Sequence, residues 1–561
     1  MPATTAADVV GTTLARLGAQ AVFGLMGSGN LVVTNALVRG GASFYAARHE
    51  GGAVGMADGW ARVTGRVGVA SVHQGPGLTN TLTALGEAAK SRTPLVVLAG
   101  ETPAAAIHSN FRIDQHDLVE SVGAIAERLH APSSAAQDAA RAYRRAEVER
   151  RPVVLMLPID LQAQPAEEPG PARGPAPGES PAGASSPAAA SSPLAPVPSP
   201  DAIAAAAAVL AGAKRPVLLA GRGAVLADAR DAIAALGEHV GALLATSAVA
   251  HGTFKGLDFD LGIAGGFSSP LAAELLARAD VVVAFGATLN HWTTRHGALI
   301  ADDARVIQVD LDPSAMRVAD VAVAGDAAAA ARALRDAVPA SPGVRTGELA
   351  RAIATHRWRD EPFEDASSDP YIDPRALSVA LADALGDDVA IAVDSGHFTG
   401  YPAMYLTPAD ARAWVFANAF QAVGLGLGCG IGAAVARPDR PTVAVLGDGG
   451  AFLSLAELET AARLKLRLLV VIYDDAAYGA EVHHFASLGH DVTSAQFPDA
   501  DLAAIARAAG AAAITVRAVA DLDAPLRAWL ANDADAGPLV VDAKVDPTIC
   551  AEWLEEAFRA G

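Results

Sequence analysis

The chain has 561 residues, a formal net charge of −20, 52% apolar residues and two cysteines, Cys429 and Cys550. That length fits two to four domains, each burying its own core. The acidity argues against a nucleic-acid partner, the lack of a run of about 18 apolar residues against a membrane span, and the scarcity of cysteine against a disulfide framework.

The first residues, MPATTAADVV, have neither the basic nor the apolar region of a secretory signal, so a cytoplasmic location is expected. Residues 1–165 then alternate strands and helices. Strands are predicted at 21–25, 43–47, 67–72, 94–99 and 152–157, with a helix over 80–90 between the third and fourth. Apolar strands spaced at crossover distance predict a parallel sheet covered on both faces. Residues 166–198 are Pro, Ala, Gly and Ser with almost no large apolar side chain, which predicts an extended linker.

Residues 199–340 form a second αβ block, with strands predicted at 216–220, 242–246, 281–286 and 305–309. The turn Gly221-Arg222-Gly223 after its first strand is an incomplete dinucleotide fingerprint. It suits a nucleotide site or a purely structural turn. Residues 341–372 are charged and irregular and read as a second linker. A third block, 373–561, opens with a helix over 374–385 and a strand over 389–393. The Gly-dense segment 424–432 predicts close helix packing against a ligand or a sheet. The first and third blocks share an element order, which suggests a duplication. The fold expected is therefore α/β, with three doubly wound parallel-sheet domains.

Two apolar runs of the third block, 442–446 and 466–473, read as strands. The first ends in Gly447-Asp448-Gly449-Gly450, the second in Asp474-Asp475. The helix between them carries Ser454 and Glu457 at capping-box spacing. Carboxylates at the C-terminal ends of parallel strands suit Mg²⁺, and glycine backbone suits a diphosphate. Such acids also serve as solvated or capping residues, and on the residues alone both readings stand.

These motifs together resemble the thiamine-diphosphate enzymes of the acetolactate synthase, pyruvate oxidase and 2-oxo acid decarboxylase type. The string Arg48-His49-Glu50, the turn His73-Gln74-Gly75-Pro76-Gly77 with Thr79-Asn80, and Gly447-Asp448-Gly449 followed by an acid 27 positions on are similar to that family's signatures. The resemblance implies a metal set of Asp448, Asp475 and Ala477, where the family's usual Asn-Asn pair is here Asp474-Asp475. It implies a cofactor site of Glu50, Gly75, Asn80, Gly396, His397, Val423, Gly447, Asp448, Gly449, Gly450, Asp475, Tyr478 and Gly479. Glu50 would hydrogen-bond the aminopyrimidine ring. Val423 would buttress the bent cofactor, or be an ordinary core valine.

The resemblance further implies catalytic parts for Gln115 and Glu481; His73, with Gln74, would line the substrate pocket or act as a proton donor, or be a loop histidine without a part. His108 and His116 lie near Gln115 without an assigned part. His483 and His484 have the look of a zinc pair but lack a third ligand at useful spacing. Acetohydroxyacid synthases commonly carry Met and Trp at the positions of Ala480 and His484, whereas Glu481 matches a glutamate of pyruvate-type decarboxylases. The stretches 262–267 and 286–292 match the family's flavin-binding members poorly, which leaves FAD open but disfavoured. The function implied is thiamine-diphosphate- and Mg²⁺-dependent chemistry on a 2-oxo acid, ending in protonation or in ligation to an aldehyde or ketone acceptor. A lyase of the benzaldehyde-lyase kind and a cofactor-binding protein without turnover are the alternatives. In that family the site lies between subunits, so a homodimer or homotetramer is expected, with Glu50 and Asp448 meeting across the interface.

Overall fold

Each apolar run becomes a strand of a parallel sheet, and the chain builds three such sheets of six strands. The computed structural model describes residues 4–167, 196–532 and 537–559; most of the predicted 166–198 linker lies outside them. The first sheet contains β1 (Ala21–Gly24), β2 (Ser43–Ala46), β3 (Gly68–Val72), β4 (Leu95–Glu101), β5 (Ile125–Arg128) and β6 (Pro152–Pro158) in the order β2-β1-β3-β4-β6-β5. The second contains β7 (Pro216–Ala220), β8 (Leu243–Thr246), β9 (Asp260–Ile263), β10 (Val281–Phe285), β11 (Arg305–Asp310) and β12 (Val321–Ala324), ordered β12-β11-β10-β7-β8-β9. The third contains β13 (Ala390–Val393), β14 (Trp414–Phe416), β15 (Thr442–Gly447), β16 (Leu468–Asp474), β17 (Ala512–Val516) and β18 (Leu539–Lys544), ordered β14-β13-β15-β16-β18-β17.

The first and third sheets thus share one strand order, as a duplication would leave it. Each reverses direction between its first and third strands. Loops at the carboxyl ends of strands diverge at such a switch point and leave a crevice. In the third sheet the loops are those after β13 and β15.

One core joins the first and third domains. Helix α1 (Glu50–Thr64) buries Met56 and Trp60 in the same cluster as Leu427 and Ile431 of α2 (Gly426–Ala436). Within 424–432, Gly428 and Gly432 face α1, whereas Gly426 and Gly430 pack on residues of the third sheet. A Cβ at Gly59 would strike the Cys429 carbonyl, and one at Gly432 the Met56 carbonyl. Cys429 is a buried part of that seam. Arg62, also buried, lies 2.7 Å from Asp58 and 2.9 Å from Glu87, and donates to the Phe416 carbonyl of the third domain at 3.0 Å.

In the central domain, Gly221 and Gly223 pack directly on the backbone of Gly286, where a Cβ on either would collide. Close approach of two turns therefore accounts for both glycines. The 341–372 stretch, expected to be irregular, carries a helix, Gly347–Ala354, with Ile353 buried; Trp358 Nε1 donates to the Phe267 carbonyl at 2.8 Å. Among the described residues no helix is long and apolar enough to cross a membrane.

Candidate functional site

The end of β15 passes directly into helix α3 (Asp448–Ser454), with Gly447 as its N-cap, so Asp448 occupies the first turn. Helix α4 (Ala456–Arg463) follows after one residue. The expected capping box is absent. Ser454 Oγ donates to the Gly450 carbonyl, and Glu457 reaches a different domain. Its buried carboxylate accepts from the backbone N–H of Arg48 (3.1 Å) and His49 (2.9 Å) and from Thr460 Oγ1 (2.7 Å). Local spacing suggested a cap, but helix α4 presents Glu457 to the start of α1, where it holds the backbone just before Glu50.

The neighbouring strand β16 ends at Asp474, and Asp475 turns towards Asp448. The two carboxyls form an open cleft of ≈ 600 Å³ with Gly396, His397, Val423, Gly447, Gly449, Gly450, Ala477, Tyr478, Gly479 and Glu481. Burial raises the proton affinity of both. Asp448 is pushed up further by Asp475 and Asp474, and Asp475 by Asp474 against a lowering hydrogen bond from Ala477 N–H. A cation between them would favour the ionised form of both. No lysine or arginine lines the cleft. Among the described residues no three His, Cys, Asp or Glu side chains converge on a metal position. The donor set is therefore two carboxylates plus backbone, which fits a hard divalent ion that completes its shell with phosphate and water.

The loop after β13 supplies the opposite wall. Asp394 is fully buried and accepts from the N–H groups of Ser395, Gly424 and Leu425 at 2.9–3.2 Å; burial nevertheless pushes its carboxyl up to about 6. It pins the turn that carries Val423, which is 41% exposed and faces the cleft, unlike a core valine. His397 Nε2 accepts the Ala551 N–H at 3.0 Å, so in the neutral ring Nδ1 carries the proton. That nitrogen lies 3.9 Å from Asp475 Oδ2, and burial, then His483, lowers the ring's pKa to about 3. In its neutral form His397 presents this N–H at the cleft wall.

Helix α5 (Gly479–Ser487) carries Glu481 on its first turn, at the cleft. His483 lies against His397 with ring centroids 4.5 Å apart. His484 stacks on Phe558 of α6 (Leu554–Phe558) at 3.9 Å. The two rings are spent on different neighbours.

The predicted residues of the first domain form a second cluster. Glu50 is the first residue of α1, and its Oε2 accepts from Asn80 Nδ2 at 2.9 Å. The turn carrying Gly75 lies beside it; Gly75 has φ +60°, and a Cβ there would meet the Phe111 carbonyl. Gln115 is buried and spends its amide on the backbone: Oε1 accepts the Gly75 N–H at 3.0 Å and Nε2 donates to the Gly100 carbonyl at 3.1 Å. It holds the turn. His73 Nδ1 accepts the Gly29 N–H at 3.1 Å, which leaves the proton on Nε2; burial lowers its pKa, against the attraction of Glu50. His108 and His116 are exposed. None of Glu50, His73, Gly75, Asn80 and Gln115 lines the third-domain cleft.

Sequence reasoning gave Glu457 the wrong part and Asp394 none. Each acts on a partner at least 30 residues away, and no local pattern marks such a contact.

Three family models match the chain. They are the thiamine pyrophosphate enzyme N-terminal binding domain over residues 4–122, its central domain over 203–334 and its C-terminal binding domain over 394–543. A probable 2-ketoarginine decarboxylase of Pseudomonas aeruginosa is 31% identical, covering 96% of this chain and 94% of the relative. A sulfoacetaldehyde acetyltransferase of Rhodobacter capsulatus is 29% identical over 97% of this chain and 94% of its own. A catabolic acetolactate synthase of Raoultella terrigena is 28% identical over 96% and 95%.

Proposed function

Because the chain belongs to the thiamine pyrophosphate enzyme family, we propose that it holds thiamine diphosphate and Mg²⁺ in the third-domain cleft and decarboxylates a 2-oxo acid. The product is then protonated or joined to an aldehyde or ketone. The carrying observation is the buried pair Asp448 and Asp475 at the ends of adjacent strands, beside a glycine turn and without a cationic side chain in the cleft.

When bound, the cofactor supplies the carbon nucleophile and the electron sink. The chain's residues do the rest. Asp448, Asp475 and the Ala477 carbonyl would hold Mg²⁺. The backbone of Gly396, Gly447, Gly449 and Gly450 and the His397 Nδ1–H would meet the diphosphate. Val423, Tyr478 and Gly479 would wall the cofactor. Glu50, oriented by Asn80, would hold the proton at the pyrimidine ring. Gln115 acts through the Gly75 turn. Glu481 is the proposed proton donor to the product carbon, and His73 presents an N–H on the first-domain side.

The cleft wall is built from third-domain residues alone, and Glu50 stands on the first domain. That separation supports a homodimer or homotetramer in which one copy's Glu50 meets another's Asp448. A fully active monomer by sedimentation would overturn this.

The test is CO₂ release from a panel of 2-oxo acids that includes 2-ketoarginine, with sulfoacetaldehyde offered as an acetyl acceptor and acetolactate assayed as a product. CO₂ that depends on both thiamine diphosphate and Mg²⁺ supports the reading. Cleavage without CO₂ moves it to the aldehyde-lyase class, and no cofactor binding refutes it. A visible absorption spectrum of the purified protein decides the flavin question.

A further inference from the structure

Strand β16 ends in two acids, and the fold turns them to opposite uses. Asp475 enters the cleft. Asp474 faces away from it, towards β18, where its register partner is Lys544. Both side chains are 3% exposed. Lys544 Nζ lies 2.5 Å from Asp474 Oδ2, 2.6 Å from Asp499 Oδ1 and 3.2 Å from Asp542 Oδ2, and it donates to the Ala500 carbonyl at 2.7 Å. The other carboxylate oxygen of Asp474 accepts the Ala476 N–H at 3.0 Å. That bond closes a short turn in which Ala476 has φ +52°, and the turn brings Asp475 and Ala477 to the cleft. The Asp474 carbonyl is held as well, by the Val545 N–H at 3.0 Å.

We infer that the Asp474–Lys544 pair is a charge-neutral brace for the metal-holding turn. Asp474 shapes the turn that presents Asp475 and the Ala477 carbonyl, and Lys544 cancels its charge. Lys544 thereby weakens the repulsion that the Asp474 charge exerts on Asp448 and Asp475. Both groups are positioning residues, because neither touches the cleft. The physical reason for the lysine is plain: an acid buried beside two further acids is tolerated only when it is paired. Lys544 balances one that cannot be moved to the surface without undoing the turn.

This inference rests on the metal and diphosphate reading above. The experiment is isothermal titration calorimetry of thiamine diphosphate with Mg²⁺ into the full chain, as wild type, D474N, K544M and D474N/K544M, each checked for fold by circular dichroism. Asn at 474 keeps the oxygen for the turn. D474N is therefore expected within threefold of wild-type affinity, K544M at least tenfold weaker, and the double variant restored to within threefold. A folded K544M that binds like wild type overturns the brace, as does a double variant as weak as K544M. A tenfold loss in D474N overturns it too, by making Asp474 a ligand. If K544M does not fold, D474N and the double variant still decide, since neither leaves the 474 position charged. Absence of binding by wild type refutes the metal and diphosphate reading itself, whereas wild-type binding with an unaffected K544M refutes only the brace.

Discussion

Glu457→Ala tests whether the third domain sets the position of Glu50. The carboxylate is 2% exposed and satisfies two backbone donors, Arg48 and His49, two residues and one residue before Glu50. Orphaning a buried donor costs about 1–3 kcal/mol. The truncation leaves room for a water among three polar partners, which places the total at the low end for two donors, about 2–3 kcal/mol. Local opening at the start of α1 would then be about 30- to 100-fold more frequent, since 1.4 kcal/mol is tenfold. Hydrogen exchange of a peptide spanning 45–52 reads this directly. Turnover is expected to fall about 10- to 100-fold, because a displaced Glu50 is misaligned at the reacting group. Glu457→Gln, whose amide oxygen still accepts, should recover most of both. Unchanged exchange at 45–52 in a folded Glu457→Ala protein would refute the reasoning.

Glu50→Gln should lower turnover about 10²- to 10⁴-fold with an unchanged circular dichroism spectrum; full activity would remove Glu50 from the chemistry. Chelation of divalent ions should release the cofactor, and Mg²⁺ should restore it, as read by gel filtration with absorbance of the bound fraction. Asp394 predicts a pH slope. Its carboxyl is raised in the folded state from 3.8 to about 6, so the folded protein holds the proton more tightly, and this contribution to stability is present below pH ~4 and lost as pH rises to ~6. The loss is about 3 kcal/mol at 1.36 kcal/mol per unit. Denaturation midpoints of Asp394→Asn should lack that part of the slope; a variant with the wild-type slope would refute the assignment.

Most central strands were legible because burial on both faces leaves unbroken apolar runs such as LLVVIYD of β16, although β18 was not called. Of the edge strands only β2 was. β5 alternates buried and half-buried positions over four residues, and β12 is a run of Val and Ala that is mostly exposed. The glycine turn at 447–450 and the acid at 475 were readable because the chemistry they suit needs those residue types at strand ends. Glu457 was misread because its spacing from Ser454 satisfied a local rule while its partners lie about 400 residues earlier. The glycines of α2 announced a close approach to a ligand or a sheet; the fold shows the third sheet on one side and α1 on the other. In the same way, nothing in the sequence around Asp474 marks Lys544, which β18 places across from it.

The shared core of α1 and α2 also sets a timetable. Met56 and Trp60 emerge from the ribosome about 370 residues before the helix that covers them, an interval of roughly 20–70 s at ordinary synthesis rates. Throughout it, the first sheet can pair its strands but cannot close its outer face. The newborn chain therefore carries an apolar ridge until α2 is made. A polypeptide ending after the central domain would keep the ridge for good and is expected to self-associate.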